Sequence, residues 1–475
     1  MSDNKGKNGS PFTVIATALV VLIVLSVMPW GDITGHKLKD FNLLGDLVPE
    51  SDKTYITHEE IDPDLKVLQD SPSAVQHNNN DTVRAGADSL MSESGEMPLA
   101  PLPDDFAAPL SADGSVLIED YSSDRSALRR FARALEQSHS RPVRIAVIGD
   151  SYIEGDIFTQ DIRSLLQGRY GGSGVGYMAA FSNFPGFRQS VAQSGSGWTE
   201  HDIRKAGANG MRILSGTYFS GSAGAKASFK GTHRPVHTDS WSRSTMVFIS
   251  PSAGHITLGG VGDGEQTFDV AASPDVQMLS LDGKTSEFTV KSDIEGLKVL
   301  GVWLDNSAGV VLDCMSMRGN SGISHRRLDA DVARQLRQWI DYDLIVLEFG
   351  INALSSAQSD YSAYADAMVG VVNAVRSCYP NADILLLGIG DRGQKQGTAV
   401  ASMGTAPAMV KAQRDIARRT GIAFWDMRQA MGGSGAAVDW HRRGLVNADY
   451  IHLNHKGGKE LAEIFVKSLN LSLSE

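Results

Sequence analysis

Residues 143–151 read VRIAVIGDS, an apolar run that ends abruptly in Gly149, Asp150 and Ser151. An uninterrupted apolar strand, rather than an alternating one, is what a parallel sheet covered on both faces requires. Further runs of this kind are VVLDCM from Val310, DLIVLEFG from Asp343, DILLLGIG from Asp383 and IAFWD from Ile422. Helical periodicity separates several of them, over Leu328 to Ile340, Tyr361 to Val375, Ala406 to Arg419 and Gly457 to Leu469. Another helix precedes the first strand, with Leu128, Phe131, Ala132 and Leu135 on one face behind the capping residues Ser122, Ser123 and Asp124. Strand alternating with helix predicts βαβ units and an α/β fold, a doubly wound, flavodoxin-like three-layer α/β/α sandwich.

One stretch breaks that alternation. From Pro185 to Asn306 the helical pattern gives way to short alternating segments divided by Gly, Ser and Asp: TMVFISP, HITLGG, QTFDVAA, SEFTVKS and LKVLGVWLD. This predicts an all-β insertion over residues 185–305, a sandwich or jelly roll, dividing the α/β domain into residues 121–184 and 306–475. It enters near the carboxyl ends of the strands, where open α/β sheets bind ligands, so it is placed to shape a substrate site. A stabilising appendage is the alternative.

The remaining chain reads as targeting and tethering. Residues 11–30, PFTVIATALVVLIVLSVMPW, carry no charge and are long enough to cross a hydrocarbon core of about 30 Å. Lys5 and Lys7 precede them and Asp32 follows, which puts residues 1–10 in the cytoplasm and the catalytic part outside it. Met28, Pro29 and Trp30 stand where a cleaved signal peptide needs small residues, so the expectation is an uncleaved single-pass anchor in a bacterial inner membrane, with a periplasmic catalytic domain. Residues 31–120, rich in Asp, Glu, Ser, Asn and Pro, bury too little apolar surface to offset their ordering entropy and are expected to form a mostly disordered tether.

Composition narrows the function. The chain of 475 residues is 42% hydrophobic and 21% charged, as globular proteins are, and its formal charge is −11. Without a Lys/Arg-rich run, that charge argues against nucleic acid as a partner. Cys314 and Cys378 are the two cysteines, too few for a disulfide scaffold or a four-cysteine zinc site. His452 and His455 lack a third metal ligand, and no cofactor signature is present: the Gly-rich YGGSGVGY (residues 170–177) follows a helix instead of opening one and has no Gly-Lys-Ser/Thr.

Three short elements carry chemistry. Ser151 sits on the sharp turn after the first strand, its hydroxyl exposed at the sheet's end and its N–H near a helix start, as suits a nucleophile that helps bind an oxyanion. Asn352, in Gly350-Ile351-Asn352 after DLIVLEF, can aim an amide at the same oxyanion, or merely cap a turn. Asp449 precedes His452 by three residues, so the carboxylate can reach the imidazole and fix its tautomer. Each element is commonplace alone.

In combination and in this order they resemble the SGNH (or GDSL) hydrolase superfamily, over roughly Tyr121 to Pro185 and Asn306 to Glu475. The resemblance implies a serine esterase with Ser151 as nucleophile, His452 as base and Asp449 orienting it. It implies an oxyanion hole formed by the N–H groups of Ser151 and of a glycine, together with the Asn352 amide. The glycine loop reads MRGNSGIS and offers Gly319 and Gly322, of which Gly322 fits the family better. Tyr152 and Ala353 depart from the usual Leu and Asp at positions that supply no catalytic group. A β insertion within such a core resembles bacterial peptidoglycan O-acetylesterases, whose added domain is similar to a carbohydrate-binding module. The implied partner is an O-acetylated envelope glycan, with Asp150, Trp198 and Trp303 as candidate substrate contacts. A glycan O-acetyltransferase using the same triad, and a non-catalytic glycan-binding protein, are the rival expectations.

Overall fold

A six-stranded sheet organises the α/β part of the molecule. In the computed structural model, which describes residues 62–70, 102–103, 106–207, 210–260 and 264–474, the chain runs through helix α1 (Pro63–Asp70), strand β1 (Glu119–Asp120), helix α2 (Arg129–Glu136), strand β2 (Pro142–Gly149) and helix α3 (Thr159–Tyr170). It then enters a long β region: β3 (Gly176–Met178), β4 (Val191–Asp202), β5 (Thr217–Gly231), β6 (Trp241–Ser250), β7 (Gly254–Gly260), β8 (Gly264–Val270), β9 (Ser273–Thr285), β10 (Glu287–Ser292) and β11 (Leu297–Asp305). The α/β pattern resumes with β12 (Gly309–Ser316), α4 (Ala330–Leu336), β13 (Leu344–Glu348), α5 (Ser362–Cys378) and β14 (Asp383–Leu387). A hairpin of β15 (Gly393–Gln396) and β16 (Ala399–Ser402), then α6 (Ala406–Thr420), β17 (Ala423–Trp425) and α7 (His455–Ser472), complete it.

The strands lie in the order β1-β17-β14-β13-β2-β12, all parallel except β1 against β17. Alternate residues of each strand point to opposite faces. Ala146, Ile148, Ile345 and Leu347 face α5 and α6 through Met368, Val371, Val372 and Met409. Val143, Ile145, Val147, Leu344 and Val346 face α2, α3 and α7 through Phe131, Ile162, Leu461 and Phe465. With helices over both faces, each strand must be apolar on both, which explains the unbroken runs in the sequence.

The insertion corrects one expectation. It is not two facing sheets but one antiparallel sheet in the order β8-β7-β10-β5-β11-β6-β9, with β3 added to β11 and β4 to β5. β5 holds it together: residues 219–221 pair with β11, residues 225–230 pair with β10, and β4 runs along its other edge. A register shift between Ser196 and Trp198, at Gly197 with φ 81°, lets β4 bend without losing its partner. The sheet so curved closes over a core containing Phe229, Phe248, Phe288, Trp241 and Leu304.

Residues 11–30, expected to be an anchor, and most of residues 31–120 lie outside the described residues; among those described, no helix is long and apolar enough to cross a membrane. The described parts of the expected tether are not loose. Leu65 and Leu68 of α1 are buried in the α/β core. Glu119 joins Arg414 through hydrogen bonds of 2.9–3.0 Å, and Arg414 also reaches Asp426 at 2.8 Å. Cys314 and Cys378 are free buried thiols, and the YGGSGVGY stretch turns the chain into β3, pressing Gly172 and Gly174 against the backbone of Val310 and Leu304.

Candidate active site

Strand β2 delivers Gly149, Asp150 and Ser151 to the carboxyl end of the sheet. Gly149 is required there: a Cβ would come within 2.7 Å of both the Glu348 carbonyl and its Oε2. Asp150 is wholly buried, and its Oδ1 accepts the Tyr152 N–H at 2.9 Å, opening the 3₁₀ turn Ser151–Asp156. The serine is thereby fixed by its neighbour's side chain, at the start of a turn whose first N–H groups have no partner within the turn.

The histidine arrives from the loop before α7. Tyr450 takes a left-handed φ of 59°, which folds the loop back so that Asp449 Oδ1 accepts the N–H groups of Ile451 at 2.9 Å and His452 at 3.1 Å. The other oxygen, Oδ2, lies 2.7 Å from His452 Nδ1, and His452 Nε2 lies 2.9 Å from Ser151 Oγ. A carboxylate only accepts, so the proton sits on Nδ1 and Nε2 is left to accept from the serine hydroxyl. Burial works against the Asp449 charge, but the hydrogen bond from His452 and the two backbone N–H groups outweigh it and hold the carboxyl below its usual pKa. The three residues form a continuous path for a proton.

Asn352 lies beside this path, held by two neighbours. Its Nδ2 donates to Asp150 Oδ2 and to the Asn320 carbonyl, each at 3.0 Å. An oxyanion would have to take one of these hydrogens. Gly322 departs from expectation: its N–H donates to Asn320 Oδ1 at 2.8 Å, within its own loop. The glycine is needed there for space and backbone conformation, with φ 90° and the Phe349 ring 2.8 Å from where a Cβ would stand.

Of the candidate substrate contacts, Asp150 and Trp303 are buried, while Trp198 is half-buried. Asp150 is sealed beneath the serine. Trp303 is 3% exposed, donates its indole N–H to Asp313 Oδ2 at 2.8 Å and meets Tyr177 edge-on. Trp198 donates to the Lys226 carbonyl at 2.9 Å and lies over Gly221, covering the curved sheet. Among the described residues, no group of three or more His, Cys, Asp or Glu side chains is placed to hold a metal ion.

Two residues not foreseen matter to the site. Glu348, at the end of β13, is 1% exposed and lies 3.4 Å from the Asp150 N–H. Burial raises its pKa to about 7, although contacts with Asp150 oppose the rise. A carboxyl inside the run DLIVLEFG was the available signal. Asp62, from the expected tether, is also 1% exposed and accepts the Ser321 N–H at 2.9 Å and hydroxyl at 2.6 Å. Nothing in its local sequence marks it.

Residues 300–459 match the family model described as the GDSL-like Lipase/Acylhydrolase family. Over these residues the chain is a GDSL/SGNH hydrolase. The match covers the glycine loop, Asn352, Asp449 and His452, while Ser151 lies ahead of the insertion and outside it. This family is one of esterases. No curated protein matches the hydrolase by sequence. Among solved structures, a peptidoglycan O-acetylesterase is similar to it, with a TM-score of 0.63 and 23% identity over 75% of this chain and 99% of the other. The two therefore share a fold. A family two carbohydrate esterase from Cellvibrio japonicus aligns with 12% identity over 60% of this chain and 98% of the other, at a TM-score of 0.26. One from Clostridium thermocellum aligns with 11% identity over 58% and 99%, also at 0.26. Similarity that low carries no argument about the hydrolase.

Proposed function

We propose that the hydrolase is a serine O-acetylesterase that removes acetyl groups from an envelope glycan, peptidoglycan foremost, and that residues 11–30 anchor it with the catalytic part outside the cytoplasm. The observation that carries the chemistry is the path from Ser151 Oγ through His452 to Asp449, at 2.9 and 2.7 Å. His452 Nε2 takes the hydroxyl proton as Oγ bonds to the acetyl carbon, and the carbonyl electron pair moves onto oxygen. The tetrahedral intermediate collapses, His452 returns the proton to the departing sugar hydroxyl, and acetyl remains on Ser151. Water, deprotonated by His452, then releases acetate and restores the serine. Asp449 holds the imidazole in the required tautomer and offsets its charge when protonated. The glycan assignment is supported by a fold shared with a peptidoglycan O-acetylesterase over almost all of that protein's length.

The test is acetate release from O-acetylated peptidoglycan. Wild-type protein is expected to release acetate, and Ser151→Ala to lose at least about 10⁴-fold of the rate. Release that survives Ser151→Ala would reject the nucleophile. Acetate moved to another glycan, instead of to water, would make the protein a transferase.

A further inference from the structure

A groove of about 270 Å³ opens between the nucleophile's turn and the inserted sheet. One wall is the 3₁₀ turn itself, through Glu154 and Gly155; another is the strand end that leads into the glycine loop, through Met317 and Arg318. The third is the segment by which the chain enters the insertion. Here Phe184 and Phe187 lie with ring centroids 5.9 Å apart, and Arg318 sits over both rings, at 5.7 and 5.8 Å. Arg318 pairs with Glu154, and its carbonyl accepts from Arg204 of the insertion at 3.0 Å. Gly155 explains how the entry segment is seated: φ is 67°, and a Cβ would come within 3.0 Å of the Phe187 carbonyl. The groove thus joins Ser151's own turn to the insertion through backbone that cannot shift independently.

We infer that this groove is a glycan subsite, which binds the pyranose strand flanking the acetylated sugar with Phe184 as its stacking platform. Phe184 is 41% exposed despite its size. An exposed aromatic face beside planar charged groups suits a pyranose, whose axial C–H bonds form an apolar face and whose hydroxyls form a polar rim. Arg318 and Glu154 offer donors and acceptors fixed by their mutual pairing, so little side-chain entropy is lost when a sugar binds. A long acyl chain would cover this ion pair without supplying hydrogen bonds to replace the water it displaces, which selects sugar over lipid. Trp303, one of the expected platforms, is buried, whereas Phe184 faces the groove.

This subsite rests on the glycan assignment, so its test separates the two. Full-length Phe184→Ala and wild type are compared on O-acetylated peptidoglycan and on p-nitrophenyl acetate. The ratio of the two kcat/KM values is expected to fall about tenfold, through KM on the polymer. An unchanged ratio would overturn the subsite, as would an equal loss on both esters. Binding is read separately by co-sedimentation of Ser151→Ala with O-acetylated peptidoglycan, against Ser151→Ala/Phe184→Ala. Weaker sedimentation of the double variant supports the groove even if wild type releases no acetate; equal sedimentation rejects it.

A separate observation concerns the glycine loop. Asp62 binds the Ser321 N–H and hydroxyl, Tyr364 donates its hydroxyl to the Ser321 carbonyl at 3.0 Å, and Asn320 binds Asn352 and Gly322. Asp64, two residues on, reaches Ser324 and Arg327 at 2.9 Å. The segment is seated by Leu65 and Leu68, both buried. We propose that Asp62 is a positioning residue, through which the N-terminal segment sets the loop that holds Asn352. In the full-length protein, Asp62→Ala is expected to lower kcat on p-nitrophenyl acetate about tenfold with little change in KM. Leu65→Ser/Leu68→Ser, which unseats the segment while leaving the carboxylate intact, is expected to do the same, and adding Asp62→Ala to it to cost nothing further. Additive losses, or a lower melting temperature with kcat unchanged, would show that the segment only stabilises the fold.

Discussion

Asp449 and Glu348 are two carboxyls brought near the same serine by the fold, in opposite electrostatic states. Asp449 receives three N–H donors and stays charged, so Asp449→Asn leaves the loop's shape but loses the tautomer control; kcat is expected to fall by roughly 10³–10⁴-fold, measured on p-nitrophenyl acetate. Glu348 sits in the apolar interior with Asp150 as its polar neighbour, and its proton is retained up to about pH 7. A carboxyl whose pKa is raised by folding stabilises the fold at low pH, and that contribution is lost as pH rises from about 4.5 through about 7. Glu348→Gln removes the titration, so its melting temperature relative to wild type is expected to rise between pH 5 and pH 8. A constant difference between the two proteins across that range would exclude the assignment. Ser151, Asn352, Asp449 and His452 were legible because each sits at a fixed offset from a recognisable strand or helix. Glu348 was less so, since what matters about it is the neighbour it meets across β2.

At the scale of elements, the parallel strands were readable and half of the inserted sheet was not. β6, β7, β8, β10 and β11 carry enough Val, Ile, Leu and Phe to show their alternation. β4 and β5, VAQSGSGWTEHD and TYFSGSAGAKASFKG, are dominated by Gly, Ser and Ala, which have weak strand preference and were passed over. Gly195, Gly197 and Gly221 let the two strands approach their neighbours closely, while Ala225, Ala227 and Phe229 of β5 are buried. The glycine loop shows the same limit. The resemblance put Gly322 forward as an oxyanion donor, whereas in the structure its N–H binds Asn320 and the Phe349 ring packs behind it. Gly322→Ala is expected to destabilise the protein by about 2 kcal/mol or more, read from the chemical denaturation midpoint, since both φ and the ring oppose a methyl group.

At the scale of the molecule, Asp156 ties the nucleophile's turn to α3 and to the segment that enters the insertion. It is fully buried at the end of the nucleophile's turn, bound by Arg163 of α3 at 2.6 and 2.8 Å, by Ser190 at 2.9 Å and by Arg188 at 3.2 Å. Burial disfavours its charge, but the two guanidinium groups prevail and hold its carboxyl far below the ordinary range. Such a depressed group stabilises the fold above the unfolded pKa near 3.8 and loses that contribution as pH falls through the folded value. Asp156→Asn leaves Arg163 buried without its counter-charge, at an expected cost of about 3 kcal/mol at pH 7 that shrinks under strong acid. Calorimetry should show core and insertion melting in one transition in wild type and in two in the variant; a single transition in both would mean that the packing around Asp313, which accepts from Tyr177, Trp303 and Tyr342, suffices.

By itself the sequence determined the α/β class, the place of the insertion and the residues of the proton path, because periodicity and short offsets are local properties of a chain. Only the tertiary structure decided the rest. It curled the insertion into a single sheet, turned Gly322 inward and buried Trp303. It seated Asp62, far from the glycine loop in sequence, against Ser321, and left Phe184 facing the groove beside the nucleophile. Each of these depends on which side chain a distant segment brings into contact, and contact between distant segments is set by packing, on which local pattern places no constraint.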